Sequence, residues 1–475
     1  MKSNRQFFVY VIITAITAWF SVGFYQVDEH FQILEPGAWK SGWISQQDLP
    51  WEFFSAMRSS VEPTIIFLLI KGLSILKTEN PFTVTLLFRL ISAALSIICF
   101  TLWRNHVKRS ADSSALLIWY DAALLLWFIP YMSVRFSLEI WGGCLFFISL
   151  ALVYGKNESA SRNFLIAGCV AALAFFIRFQ TGLLIAGFLF FKVLHLKKNF
   201  RNLLWYGAGF ILATAVNVFL DHWFYQKWCF TPWNYFLENI IHKHAAEFGH
   251  EPFYDYFFKV FKNAFPLQGI LIIATFFIYL VRKFRDEVSM GVLFFLIGHL
   301  IIGHKEMRFI FPLIFILPFV FAHSMHWVSQ FNFTKTIFYR VLMILTVVIN
   351  LIMLVAVTVR PSDSQVSMQR ALYNLIGHRP AAVFYEGENP FSRVGLTMNF
   401  YKNRNMKLLP VDSLSQYAEQ TSEKILLVTN SSSVPEKYPG NFRCVYQDIP
   451  QWILKLNYHD WVSKIKIIRV YEKQQ

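Results

Sequence analysis

Gly303-His304-Lys305-Glu306-Met307-Arg308-Phe309-Ile310-Phe311-Pro312 packs four ionisable side chains into a short turn between two apolar runs, 288–303 and 308–326. Charged groups at such a depth are costly to desolvate, so they pair with one another or with a ligand. The turn therefore reads either as a basic membrane edge or as a site in which Lys305, Arg308 and His304 neutralise a phosphate while Glu306 holds one cation in place.

A helix needs about 20 mainly apolar residues to cross a bilayer. Runs near that length occur at 7–25, 82–103, 115–132, 136–154, 163–179, 181–196, 203–220, 266–281, 288–303, 308–326 and 337–359. The expected fold is an all-α polytopic membrane protein with about eleven transmembrane helices, followed by a small C-terminal α/β domain. Composition agrees: 55% of the chain is hydrophobic, 18% aromatic and 15% charged, against roughly 25% charged in soluble domains. The run 64–74 is short, follows Pro63 and contains Lys71, and is expected to be an in-plane or re-entrant helix.

The formal charge is +15, but the basic residues lie in short clusters between apolar runs and not in one basic domain, which argues against a nucleic-acid partner. The five cysteines show no ligand-like pair, so no disulfide framework or zinc site is expected. The first apolar run lacks a cleavage site of small residues and reads as a retained anchor.

With the N-terminus in the cytoplasm, the positive-inside rule puts Arg104/Lys108/Arg109, Lys156/Arg162, Lys197/Lys198/Arg201, Arg282/Lys283/Arg285 and Lys335/Arg340 in inner loops. The loops 26–81, near 133–136, 222–265 and 303–308 then face outward, as does the tail. A true span at 64–77 would invert five basic loops, which is why it is read as in-plane. Composition shifts at Arg360-Pro361-Ser362, dividing a membrane domain, 1–359, from a domain at 360–475 with strand-like runs at 381–385, 424–429 and 465–471. No Gly-rich phosphate loop occurs there, and no chemistry is assigned to it.

The first outer loop opens Tyr25-Gln26-Val27-Asp28-Glu29-His30-Phe31-Gln32. Its two acids read either as a solvated helix end or as chemistry, because inverting glycosyl transfer needs one carboxylate to take the acceptor's hydroxyl proton. Asp28 and Glu29 are both candidates for that base, with His30 beside them as a substrate-binding residue. Arg89, Arg135 and Arg178 all lie toward the expected outer face. Singly each reads as a snorkelling arginine; together they suggest a shared anionic ligand. Arg135 and Glu139 are four apart, so a structural pair on one helix face is an alternative to substrate binding. Asp121 and His299 read as satisfied interior polar groups, and Trp223, Trp228, Trp233, Tyr235, Tyr254 and Tyr256 as interfacial rings suited to stacking on sugar or polyprenyl chain.

His304-Lys305-Glu306-x-Arg308-Phe309-Ile310-x-Pro312 resembles the hallmark of the lipid-phosphate-sugar mannosyltransferases of the GT-C superfamily, the group holding the GPI and dolichol-linked oligosaccharide mannosyltransferases. Asp28-Glu29, Arg89-Leu90, Arg135 with Leu138-Glu139, and Arg178 follow that family's order. Asp221-x-x-x-Tyr225-x-x-Trp228 through Trp233-Asn234-Tyr235-Phe236, then Phe248-Gly249-His250-x-Pro252-x-Tyr254-x-Tyr256-Phe257, is similar to the branch that adds the third GPI mannose. Gln26-Val27 departs from the His-Pro usual in that branch, and the arginine-to-glutamate turn lacks the family's small polar residues. The resemblance implies inverting transfer of a hexose, mannose by family, from a dolichyl- or polyprenyl-phosphate donor to a glycolipid or lipid-linked glycan. It further implies a lumenal or periplasmic site in the endoplasmic reticulum or bacterial inner membrane, with no nucleotide sugar and no obligatory metal or other cofactor. Asp28 and Glu29 carry over as base or acceptor-orienting residue, and the cluster from His304 to Arg308 as a donor-phosphate region. The rival class, a polytopic transporter or lipid flippase, is expected to show internal repeats and matched broken helices, and the sequence has neither.

Overall fold

The computed structural model describes residues 2–155, 161–242, 244, 249–414, 423–430 and 441–474. Lys156 and Phe248, singled out above, lie outside the described residues, as do the side chains of Lys197 and Lys198. The chain divides into two compact units. The first comprises Met1–Phe20, Trp51–Ile66 and Leu87–Arg360, and the second Ser21–Pro50, Phe67–Leu86 and Pro361–Gln475.

The first unit is helical. Among the described residues, Pro81–Lys108, Phe200–Tyr225 and a helix starting at Ile337 are long and apolar enough to cross a membrane. Met307–Phe315 and Leu317–Val328 add a fourth span if the pair, bent by 71°, counts as one. Six further apolar helices are shorter, at 10–17 residues. Eleven apolar runs therefore do not become eleven helices of spanning length. The run 115–132, for example, is split between Ser113–Ala123 and Phe128–Ser133. Pro312 has no N–H to donate, and the segment around it winds as a 3-10 helix, Met307–Phe315. Pro318 then opens Leu317–Val328 in the first turn, where the missing N–H costs nothing. The segment read as in-plane is a helix, Val61–Ile75, 15 residues long, which is short of the roughly 20 that a span requires.

Apolar side chains face outward along the long helices, with Ile211 71% exposed and Phe338 76% exposed, as a surface solvated by lipid tails demands. Charges are paired inside. Arg104, expected in an inner loop, lies within Pro81–Lys108 and is buried. Its guanidinium donates twice to Asp121, at 2.7 and 2.8 Å, which supplies the partner that Asp121 lacked in sequence. Lys192 meets Glu287 at 2.8 Å in a second buried pair.

In the second unit, five strands form a mixed sheet of order β4-β1-β5-β7-β6. They are β1 (Ala381–Tyr385), β4 (Met406–Pro410), β5 (Lys424–Thr429), β6 (Phe442–Gln447) and β7 (Arg469–Lys473), with β2 (Ser392–Arg393) and β3 (Leu396–Thr397) as a separate small pair. Strand β1 runs parallel to β4 and β5, while β7 is antiparallel to β5 and β6. Side chains alternate across a strand, so Ala381 and Val383 join Leu426 and Val428 beneath the helix Ser364–Ile376, and Ala382 and Phe384 join Ile425 and Leu427 on the other face. Two of the three anticipated strand runs match β1 and β5. The third begins later, at Arg469, and β4 and β6 were not anticipated.

Candidate active site

In the first unit a carboxylate organises the arginines. The helix Leu138–Val153 opens with Glu139 in its first turn, where the helix dipole favours an anion. Arg178 follows the helix Ser161–Ile177, and its guanidinium reaches Glu139 at 3.1 Å. Both side chains are at most 5% exposed. The close approach depends on Gly142, where a Cβ would fall 2.7 Å from the Cβ of Arg178, and on Gly143, where a Cβ would fall 2.4 Å from the Pro312 Cα. No side chain larger than hydrogen fits between these segments. The turn carrying Arg308 is thereby pressed against the first turns of the Glu139 helix.

Arg308 makes a two-pronged pair with Glu306, at 2.7 and 2.8 Å, and lies 3.9 Å from Glu139. Phe309 sits between the two arginines, with guanidinium carbons 5.4 Å (Arg178) and 5.5 Å (Arg308) from its ring centre, a cation–π geometry. His304 Nε2 is 3.1 Å from Glu306. The cluster is thus a continuous ionic network, Arg178–Glu139–Arg308–Glu306–His304, built from three separate stretches of sequence.

The motif after Gly249 docks on the same turn. A Cβ at Gly303 would fall 2.3 Å from the His250 ring, and the Glu251 amide donates to the Gly303 carbonyl at 2.9 Å. In return the Lys305 amide donates to the Glu251 carboxylate at 2.7 Å. The Lys305 side chain is buried, donates to the Ile302 carbonyl, and holds its ammonium 5.9 Å from the Tyr256 ring centre. Burial pushes the Tyr256 phenol up, so it stays protonated. Lys259 donates to the Lys305 carbonyl at 2.7 Å. Burial works against its charge, but Asp255 and Glu251 outweigh that and hold its pKa above the usual value. Glu251 and Lys259 were not foreseen. The only sequence signal for Glu251 was its place inside Gly249-His250-x-Pro252, and for Lys259 there was none.

Arg89 and Arg135 are fully buried in this unit. Arg89 Nε donates to the Ala18 carbonyl at 2.8 Å, and the Arg135 guanidinium lies 5.2 Å from the Tyr131 ring centre. Arg135 does not share a helix with Glu139: one helix ends at Ser133 and the next starts at Leu138, so the i, i+4 pairing on one face is corrected. The intervening Ser137 is extended and breaks the register. His299 is an interior group whose Nδ1 contacts the Phe295 carbonyl at 2.8 Å.

The second unit holds the acidic pair. Glu29–Leu34 is a π-helical turn, buried throughout. Glu29 is 1% exposed, and its Oε1 accepts from the amides of Tyr25 at 3.0 Å and Gln26 at 3.3 Å. Asp28, at the N-cap of the turn, is only half-buried. The solvated-helix-end reading therefore fails for Glu29, which closes its own loop. His30 Nε2 meets Glu35 Oε1 at 2.7 Å, and that oxygen also accepts from the Phe400 amide at 3.0 Å. The His30 ring stacks on Tyr401 at 5.5 Å, and Tyr401 stacks on Phe82 at 4.8 Å. The tail, to which no role was assigned, thus supplies the partners of the segment that follows the acids.

Residues 6–403 match the model of the Alg9-like mannosyltransferase family. The chain belongs to this family. Among curated relatives, GPI mannosyltransferase 3 of Debaryomyces hansenii is 24% identical over 361 residues, covering 70% of this chain and 61% of that protein. GPI alpha-1,2-mannosyltransferase 3 of Xenopus laevis is 27% identical over 300 residues, covering 60% and 53%. The Dol-P-Man:Man(7)GlcNAc(2)-PP-Dol alpha-1,6-mannosyltransferase of Saccharomyces cerevisiae is 30% identical over 141 residues, covering 30% and 26%. The matched region thus spans about six tenths or less of these relatives' length. Among solved structures, ArnT from Cupriavidus metallidurans bound to undecaprenyl phosphate superposes with a TM-score of 0.54 at 11% identity, covering 98% of this chain and 97% of that one. At that identity the likeness establishes a shared fold. The transporter or flippase reading draws no support from any of these likenesses.

Within this Alg9-like member, the hallmark turn, Glu139 and Arg178 come together in one network in the first unit, while Asp28, Glu29 and His30 are organised by the second. The cationic side of the network suits a phosphate. Arg308 presents the fork that matches phosphate oxygens, and its partner Glu306 is the more exposed, at 31%.

Proposed function

We propose that this chain is an inverting mannosyltransferase that takes mannose from a dolichyl- or polyprenyl-phosphate donor and attaches it to a hydroxyl of a glycolipid or lipid-linked glycan. The observation that carries the reading is the ionic network around Glu139, assembled from the turn His304–Arg308 that marks the family. Relatives named for GPI and dolichol-linked mannosyl transfer support the sugar and the lipid donor, and a shared fold with a protein bound to undecaprenyl phosphate supports a polyprenyl lipid partner.

In the proposed step the acceptor oxygen attacks the anomeric carbon, its proton passes to a carboxylate, and the bond from that carbon to the phosphate oxygen breaks with its electron pair leaving on the lipid phosphate. Asp28 is the base. Asp28 is only half-buried, whereas Glu29 is 1% exposed and accepts from two backbone amides. Arg308 turns from Glu306 toward the leaving phosphate, and Arg178 and Lys305 add positive potential. Preorganised charge of this kind is the larger part of catalysis where a leaving group gains charge. The step uses no metal and no nucleotide sugar, and the site faces the lumen or periplasm.

The test is transfer of radiolabelled mannose from its polyprenyl phosphate in membranes holding the full chain. Asp28→Asn is expected to lower kcat by about 10²–10⁴-fold with KM nearly unchanged, the usual contribution of a general base. Arg308→Ala is expected to raise KM for the donor as well. Wild-type turnover by Asp28→Asn would remove it as base, and absence of transfer by the wild type from mannosyl and other hexosyl polyprenyl-phosphate donors alike would end the transferase reading.

A further inference from the structure

The aromatic stretch 222–265 contains a short helix, Thr231–Phe236, that runs on into a π-helical turn, Leu237–Ile241. Such turns are rare and collect at functional sites. Here the turn and the residues after it bring three metal-ligating side chains together. His242 Nδ1 lies 3.1 Å from Glu238 Oε2, and His244 Nε2 lies 3.4 Å from that same oxygen. One donor atom from each residue falls within 4.8 Å of the other two.

A tetrahedral ion with bonds of about 2.0–2.1 Å holds adjacent donors roughly 3.3 Å apart. Two of the three separations already have that value, and the third closes by rotation of His242, whose side chain is 54% exposed. A divalent cation held among the lone pairs of the two imidazole nitrogens and the carboxylate oxygen satisfies all three donors at once. Imidazole with carboxylate is a donor set for zinc and its first-row neighbours, not for magnesium or calcium.

The surroundings are built to hold the ligands. The His244 ring packs at 5.4 Å from Trp51. The helix leading into the turn is anchored: the Asn234 side-chain amide donates to the carbonyls of Ser55 at 3.1 Å and Ala56 at 3.0 Å, and Gln180 donates to the Tyr235 hydroxyl at 2.6 Å.

We propose that Glu238, His242 and His244 bind one zinc-class divalent ion, His242 through Nδ1, His244 through Nε2 and Glu238 through one oxygen, with water in the fourth position. The ion staples the chain after the π turn to the anchored helix before it. It takes no part in sugar transfer, so the inference stands apart from the function proposed above.

The experiment uses the full-length protein in detergent, purified without a histidine tag. It is equilibrated with zinc chloride, dialysed and analysed for metal, and a parallel sample is titrated with cobalt(II) and followed by its visible absorption. The wild type is expected to retain about one zinc per chain and to give the intense bands of tetrahedral cobalt. Glu238→Gln and His244→Ala should each weaken zinc retention by at least about tenfold, while His378→Ala, an exposed histidine of the second unit used as control, should match the wild type. His242→Cys separates loss of a ligand from loss of fold, because it should keep the metal and add a thiolate-to-cobalt charge-transfer band. A wild type that retains no zinc, equal retention in Glu238→Gln and His244→Ala, or a His242→Cys protein without the new band would each overturn the proposal.

Discussion

Glu139 serves two arginines from a position at most 4% exposed, so its removal leaves buried charge without its counterion. Breaking such a pair costs about 3–5 kcal/mol, far more than losing a surface pair. Glu139→Gln is therefore expected to lower the thermal midpoint of the detergent-solubilised protein markedly, and Glu306→Gln, at a carboxylate 31% exposed, to lower it little while still reducing turnover. Equal destabilisation by the two, read by scanning fluorimetry, would show that burial does not set the hierarchy. The same reasoning applies to Asp121, held in two hydrogen bonds by Arg104. Asp121→Asn should cost about 3 kcal/mol of stability yet leave KM for the lipid donor unchanged, since both groups are spent on each other. At this scale the sequence named Glu139, Arg178 and Arg308 because ionisable residues inside apolar runs stand out. It could not show that Glu139 pairs with Arg178 and not as a helix-face partner of Arg135, because that depends on the chain breaking at Ser137.

At the level of elements, the contact between the Glu139 helix and the Met307–Phe315 segment is set by what is missing from Gly143. Gly143 and Gly207 both sit in apolar helices, and nothing in the local sequence separates them. An added Cβ at Gly143 meets Pro312 at 2.4 Å, whereas at Gly207 it meets nothing within 4 Å. Gly143→Ala should displace the turn carrying Arg308, and a misplacement of about 1 Å costs on the order of 10²-fold in rate. Gly207→Ala should transfer mannose at the wild-type rate. Comparable rates from the two variants would mean the turn yields without moving its arginine. The same limit explains the helix count. Apolar run length was legible, but the breaks between Ala123 and Phe128 and the 71° bend at Ile316 are decided by packing and by proline, neither of which an averaging window resolves.

Across the whole molecule, the second unit is made of pieces far apart in the chain, and the segment holding Asp28 and Glu29 belongs to it with the tail. Glu35 takes the Phe400 amide, and Tyr401 lies flat against both His30 and Phe82. A chain ended after Arg360 keeps the long apolar helices and should still insert into membranes. It leaves His30 and Glu35 without these partners, so residues 21–50 should become open to protease and sugar transfer should be lost. Tyr401→Ala in the full chain should reproduce part of that sensitivity, and protection of 21–50 in the truncated protein would show that the tail is dispensable to the loop. The sequence by itself determined the solvent, the helical class and the family, because run length, composition and a compact charged motif are local properties. Only the tertiary structure decided which carboxylate holds which arginine, that Glu29 is buried and caps its own loop while Asp28 stays half-buried, and that the tail supports the acidic segment. Those outcomes depend on how the chain folds back on itself, from a loop closing over four residues at Glu29 to the contact of Glu35 with Phe400, where burial removes water as a competing partner and the nearest opposite charge prevails.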